Sequence, residues 1–226
     1  MPTSDSGITR VTRSKAAAQR SYDRLSGWYD ELAGSSEDRP RRMGLQQLAI
    51  EAGEKVLEIG FGTGRSLVTL AQSVGTRGKV YGIDLSTGML QHAQARLKAA
   101  QLSDRVDLQC GDAMALPYAA DFFDAVFMSF TLELFDTPEL PLVIQECRRV
   151  LRTRGRIGVV ALAKQAGAAV RFYEWAHMKL PNLVDCRPIF VKNILEENSF
   201  EVVCQNKMSM WGLPIEIVVA QKINRV

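Results

Sequence analysis

From residue 55 to residue 163, short apolar runs alternate with longer stretches whose apolar positions recur every three or four residues. The runs KVLEIG (55–60), KVYGID (79–84), RVDLQC (105–110), FFDAVFMSF (122–130) and GRIGVVALA (155–163) predict strands. Between them the helical period predicts helices over 64–74, 86–100 and 137–151, with Ser86 and Thr137 as N-caps and Pro138 in the first turn of the third. Such alternation argues for a parallel sheet covered on both faces. The pattern then changes. PIFVKNILEENS (188–199) predicts a helix, but FEVVCQNKM (200–208) and LPIEIVVAQK (213–222) follow with no helix between them, as in an antiparallel hairpin at a sheet edge. Ahead of the alternation, an amphipathic stretch over 16–33 and a second helix around 40–51 are read as an N-terminal cap over one end of the sheet. One domain is expected, with residues 1–44 as tail and cap and 45–226 as the sheet domain.

Composition changes this picture little. Hydrophobic residues make up 46% and charged residues 23% of 226, an ordinary globular balance, and a net charge of +3 gives no argument for nucleic acid. The longest clean apolar run, IGVVALA (157–163), is far shorter than the roughly 18 residues of a membrane span, so no integral segment is expected. The first twenty residues read as a terminal tail rather than a transit peptide. Cys110, Cys147, Cys186 and Cys204 form no metal-ligand or disulfide spacing, and His92 and His177 lie far apart, so no metal is expected. Reduced thiols suggest a cytoplasmic protein.

The chemistry concentrates where strands end. VLEIGFGTGRS (56–66) places Gly60, Gly62 and Gly64 in the loop after the first strand, where backbone can approach a ligand closely. A nucleoside triphosphate would need Lys-Ser/Thr after the glycines, and the chain has Arg65-Ser66. A dinucleotide fits poorly, because the third glycine falls one place early and Glu58 would meet a pyrophosphate with like charge. S-adenosylmethionine (SAM) has no phosphate. Its carboxylate suits the loop and the following helix end, and Glu58 suits its ammonium. The bland alternative is a tight turn with Glu58 facing solvent.

Asp84, at the end of the second strand, is placed to accept from ribose hydroxyls, with Leu85 and Met89 against the adenine face unless Met89 is simply core. Asp112, after the third strand, is placed to accept from the adenine amino group beside the Ala113 N–H. Ser129, at the end of the fourth, completes this set. For a base, Glu133 is the first choice and His177 the second, each with an ordinary structural role as its alternative. Phe172, Tyr173, Trp175 and Met178, with Trp28 and Tyr29, are candidates to line an apolar acceptor pocket. Arg39, Arg41, Arg42, Arg148, Arg149, Arg152, Arg154 and Arg156 read as solvated faces, or, if clustered, as a surface for peripheral contact with anionic membrane.

Taken in order, VLEIGFGTG, YGIDLS, GDAMALPYAADFFDAVFMSF and RRVLRTRGRI resemble the class I SAM-dependent methyltransferases over residues 45–165. The resemblance implies a Rossmann-like α/β fold with a seven-stranded sheet, order 3-2-1-4-5-7-6, strand 7 antiparallel. It implies SAM as cofactor and S-adenosylhomocysteine as product. SYDRLSGWYDEL (21–32) resembles the N-terminal element of the ubiquinone/menaquinone biosynthesis methyltransferases (methyltransferase type 11), where the helix folds over the cofactor; Tyr22 and Tyr29 would belong to that lid. Where the quinone subgroup has an Arg-Asn type sequence after strand 4, this chain has FTLELFD (130–136). The acceptor expected is therefore a small, hydrophobic or aromatic molecule, quinone-like or another metabolite. A phospholipid headgroup N-methyltransferase is the alternative, and an NAD-dependent oxidoreductase or a non-catalytic SAM-binding protein comes after it. Nucleic-acid acceptors are not expected, because no NPPY-like motif and no Pro-Cys nucleophile is present. The chain is expected to act as a monomer or homodimer.

Overall fold

The computed structural model describes residues 7–11, 14–25, 34–180 and 184–223. Its strands are β1 (Lys55–Ile59), β2 (Lys79–Asp84), β3 (Val106–Cys110), β4 (Phe123–Ser129), β5 (Leu151–Leu162), β6 (Phe200–Met210) and β7 (Leu213–Lys222). They form one sheet in the order β3-β2-β1-β4-β5-β7-β6. β1 to β5 run parallel, and β7 enters antiparallel between β5 and β6. The order is the one the family resemblance implies, and the hairpin is the one the pattern predicts.

The helices are α1 (Lys15–Leu25), α2 (Gly34–Leu48), α3 (Arg65–Val74), α4 (Thr87–Ala99), α5 (Leu140–Val150), α6 (Ala168–Lys179) and α7 (Val191–Glu197). Because strand side chains alternate in direction, β1 divides its residues between two cores. Leu57 and Ile59 join one with Val143, Ile144 and Leu195 from α5 and α7, while Val56 joins the other with Leu45, Leu67 and Met89 from α2, α3 and α4. Glu58 shares the face of Val56, and this places it under α2 and α3.

Three local expectations are corrected. α2 begins at Gly34 and carries Pro40 in its interior rather than at its start. It also packs on β5, β7 and β4 across the sheet face instead of capping a sheet end, with Gly44 so close to Val160 that an added Cβ would lie 2.5 Å from its methyl. The sequence boundary at 44/45 falls inside this helix. Third, α5 starts at Leu140, not Thr137. The Thr137 hydroxyl accepts from Arg187 Nη1 at 3.0 Å, so it is committed to tertiary structure and not to a cap. The Ser86 cap is present: its Oγ accepts from the Met89 N–H at 3.1 Å. Among the described residues no helix is long and apolar enough to cross a membrane.

Candidate active site

The carboxyl ends of β1 to β4 open into a cavity of about 430 Å³. Gly60, Gly62, Asp84, Asp112 and Ser129 line its floor, with Leu85, Met89 and Ala113 among them. Val11, Ser14, Lys15, Ala18 and Tyr22 close it from above, and Leu134, Phe135, His177 and Asp185 form the far wall. Residues from segments more than a hundred positions apart thus meet in one space.

The glycine loop is held by its own backbone and by one acid. Gly60 N–H donates to Ile83 O at 2.8 Å, Gly64 N–H to Phe61 O at 2.9 Å, and Gly62 N–H to Asp84 Oδ2 at 2.9 Å. Asp84 Oδ1 accepts from the Ser86 N–H at 2.9 Å, so one carboxylate ties the loop after β1 to the start of α4. Burial raises the Asp84 pKa, against the pull of these N–H donors. A carboxylate offers about four acceptor positions; the Gly62, Ser86 and Leu85 N–H groups act on Asp84, and capacity for a further donor remains. Gly62 has φ +52°, and a Cβ built on it meets nothing within 4 Å among the described residues. The space beside this backbone is open to a ligand and would be filled by a side chain.

Glu58 does not line the main cavity. It borders an adjoining cleft of about 50 Å³ that shares Gly60, Gly62 and Ser129 with it. Its side chain is buried, and Oε2 has no hydrogen-bond partner among the described residues. Burial pushes its pKa up to about 8, while the Ser66 hydroxyl and the charge of Arg41 act in the opposite direction. The solvent-facing alternative is thereby removed. An orphaned carboxyl oxygen beside the loop, an open backbone cradle and spare acceptor capacity on Asp84 together suit a ligand with an ammonium, a carboxylate and ribose hydroxyls, as SAM has.

Asp112 lies on the cavity floor and already has a partner: Lys15 Nζ on α1 donates to Oδ2 at 2.6 Å, and the Met114 N–H donates to Oδ1 at 3.0 Å. Further bonds fasten the N-terminal segment over the site. Asp23 Oδ1 accepts from Ser86 Oγ at 2.6 Å and from the Gly88 N–H at 3.0 Å, at the N-terminus of α4, and these bonds lower its pKa. Tyr22 Oη donates to Asp185 Oδ2 at 2.5 Å. Asp136 takes Arg10 Nε at 2.8 Å and the Val11 N–H at 2.9 Å, and its pKa falls to about 2, chiefly through the Arg10 bond.

The two candidate bases fare differently. Glu133 does not line the cavity. The short turn Leu132–Leu134 carries it inward, where Oε1 accepts from the Leu162 N–H at 3.2 Å and Oε2 has no partner among the described residues. Fully buried, it is pushed up to about 8, by desolvation first, and the charges of Glu37 and Asp185 add to that rise. His177 is 3% exposed and lines the far wall. Its Nδ1 lies 2.8 Å from the Val184 carbonyl, which can only accept. The proton therefore sits on Nδ1, and Nε2 is left as the basic nitrogen of the neutral ring.

The remaining expectations divide likewise. Trp28 and Tyr29 lie outside the described residues. Phe172, Trp175 and Met178 are 68%, 50% and 59% exposed, so they do not wall the cavity: Phe172 and Trp175 stand on the outer face of α6, away from Val170 and His177, and Met178 lies on its exposed flank. Tyr173 packs into the α2–α4 core. Of the arginines, Arg41, Arg149, Arg152 and Arg156 are paired with Asp38, Glu146, Asp124 and Glu54 rather than gathered into an open patch. Sequence reasoning missed Lys15, Asp136 and Asp185, which no local motif marks, and Arg187. That guanidinium is fully buried, donates to the Thr9 and Phe135 carbonyls, and has its pKa lowered to about 10 by desolvation.

Residues 56–155 match the family model described as "Methyltransferase domain". With the sheet order and the loop site, this match makes the chain similar to the SAM-dependent methyltransferases. More particularly, it is similar to the demethylmenaquinone methyltransferase of Lactobacillus johnsonii, at 26% identity covering 89% of this chain and 92% of that one. It is 29% identical to the 2-phytyl-1,4-naphtoquinone methyltransferase of Synechococcus elongatus over 70% of this chain; there the match spans only 65% of the relative's length. Among solved structures, the (4+2)-cyclase SpnF superposes with a TM-score of 0.77 over 96% of this chain and 98% of that one, at 21% identity. At that identity the likeness concerns the fold, and a fold hosts more than one chemistry.

Proposed function

We propose that this protein transfers the methyl group of SAM to a small aromatic, quinone-like acceptor, with His177 as the general base. The observation that carries this reading is the mixed lining of one cavity: a glycine-loop backbone with Asp84 and Asp112, together with Leu134, Phe135 and a histidine whose Nδ1 is capped by a carbonyl.

Bound SAM supplies a methyl group already activated by its sulfonium. The residues that would hold it are the Gly60–Gly64 loop, with Leu85, Met89 and Ala113 beside Asp84 and Asp112, and with Glu58 and Ser129 toward the adjoining cleft. The chain's own task is then orientation, exclusion of water and proton management. Leu134 and Phe135 give an aromatic acceptor an apolar surface to rest on, in a wall that also holds His177 and Asp185. A phenolic or ring-carbon nucleophile gains from loss of a proton, and Nε2 of His177 is the nitrogen able to take it. The Val184 carbonyl holds Nδ1–H and so stabilises the imidazolium that results. The names of the quinone methyltransferase relatives support the quinone-like choice.

The test is transfer of labelled methyl from SAM to a reduced demethylated naphthoquinone with a short side chain. Turnover that His177→Gln lowers while SAM binding stays unchanged supports the proposal. Turnover equal in both proteins removes His177 from the role of base, and SAM binding without turnover on any aromatic acceptor removes the acceptor class.

A further inference from the structure

Eight large apolar side chains are exposed among the described residues, and four of them, Phe172, Trp175, Met178 and Leu180, fall within nine positions on and just after α6. Single exposed apolar residues are normal, and a contiguous cluster is not. Phe172 and Trp175 stack on each other with ring centroids 5.7 Å apart and planes 28° from parallel. At 100° per residue, Phe172, Trp175 and Lys179 share one line along the helix, with Arg171 and Met178 beside it. Arg171 and Lys179 are exposed as well. The acid of this helix, Glu174, is buried on the inner face and bonded to Lys164. The outward face of α6 is therefore aromatic, aliphatic and cationic, without a carboxylate of its own.

We infer that α6 docks this protein on an anionic lipid surface, with Phe172, Trp175, Met178 and Leu180 entering the headgroup–acyl boundary and Arg171 and Lys179 at the phosphates. Aromatic rings beside cations on one face form the composition that lies in a membrane interface. The long stems of Lys and Arg let the charge stay at headgroup level while the rings go deeper. Charge decides against a second copy of the chain as the occupant: two such faces would set four cations together with no carboxylate between them. The position of the helix gives the docking a use. His177, on the opposite face of the same helix, lines the cavity, so a lipid-dissolved acceptor would reach the site from the surface on which α6 rests. That last step rests on the acceptor class proposed above, and the docking itself does not.

The experiment is sedimentation of the full-length protein with phosphatidylcholine vesicles and with vesicles containing phosphatidylglycerol. Co-sedimentation with the anionic vesicles, weakened but not lost at high salt, is expected. Removing one cation, as in Lys179→Ala, should weaken it about fivefold, and Phe172→Ser/Trp175→Ser should abolish it. SAM titration of each variant shows that the fold is intact, because these side chains face away from the cavity. Failure to sediment with either vesicle, or sedimentation that all variants retain, overturns the proposal. So does a concentration-dependent dimer lost in Phe172→Ser/Trp175→Ser, which assigns the face to a second copy. Methyl transfer to a short-chain soluble quinol, measured on the same proteins without vesicles, reads the acceptor class separately, so either reading can fail alone.

Discussion

The two ends of the cavity are built from different materials. At the cofactor end the groups presented are mostly main chain, set by a glycine loop and braced by one carboxylate, Asp84, through the Gly62 and Ser86 N–H groups. At the far end they are side chains collected from the N-terminal segment, the turn after β4, α6 and the loop after it. Backbone at a strand end is fixed by the sheet, so that end has one way to work and little tolerance. The far end rests on packing and on tertiary hydrogen bonds such as Tyr22 to Asp185 and Arg10 to Asp136, and can be altered without loss of the cradle. Substitutions at one end should therefore change SAM binding, and substitutions at the other should change turnover.

The largest effect should come from Gly62→Val. Among the described residues no atom lies within 4 Å of the added Cβ, so these neighbours need not move; the side chain occupies the space where a ligand would approach. At φ +52° a β-branched residue is strained, by about 1–3 kcal/mol. The expected result is no saturable SAM binding by calorimetry, in a protein whose melting cooperativity survives. Retained binding would show that the cradle is not the loop.

His177→Gln comes next and tests the other end. It should lower kcat by about 10²–10⁴, the usual range for losing a general base, with the SAM affinity unchanged. A parallel loss of SAM affinity would show that the two ends are coupled and would break the comparison. Asp84→Ala should weaken SAM binding by about 1.5–3 kcal/mol, the worth of a charge-assisted bond, measured by the same titration. It also frees the Gly62 and Ser86 N–H groups, so Asp84→Asn, which keeps an acceptor oxygen, should recover part of the loss.

The same contrast explains what the sequence made legible. The strands, the closing hairpin and the loop were readable because they rest on short-range signals: apolar runs of strand length, glycine spacing and an acid at each strand end; the sheet order came only from the family resemblance that these motifs carry. Leu85, Met89, Ala113 and Ser129 all line the cavity because strand ends were located correctly. The far end was not readable in the same way. Glu133 stands one strand-end away from the cavity in sequence, yet a single short turn rotates it inward to meet Leu162. Phe172 and Trp175 look like pocket walls by composition, and only the phase of α6 against the sheet shows that they face out. Asp185 and Lys15 are polar residues without a motif, and they matter because the fold carries them over the site from 101 and 69 positions beyond and before Asp84.

The smallest effect is the most specific. Glu58 and Glu133 are both buried, each has an Oε2 without a partner among the described residues, and each is held near a pKa of 8, but only Glu58 borders the glycine loop. A carboxyl raised from 4.5 to about 8 keeps its proton in the folded state over a range where the unfolded chain has lost it. The unfolded state then binds fewer protons, so the stability of the free protein should fall as pH rises from about 4.5 to about 8. An ammonium brought beside Glu58 favours the carboxylate and should expel that proton. Calorimetry of SAM binding near pH 7, in buffers of different ionisation enthalpy, should show proton release on the order of one per site. Glu58→Gln should remove it, and Glu133→Gln should not. Release that survives Glu58→Gln would place the titrating group elsewhere; release lost in both variants would mean that the two carboxyls, on opposite sides of the loop–wall division, titrate as one system.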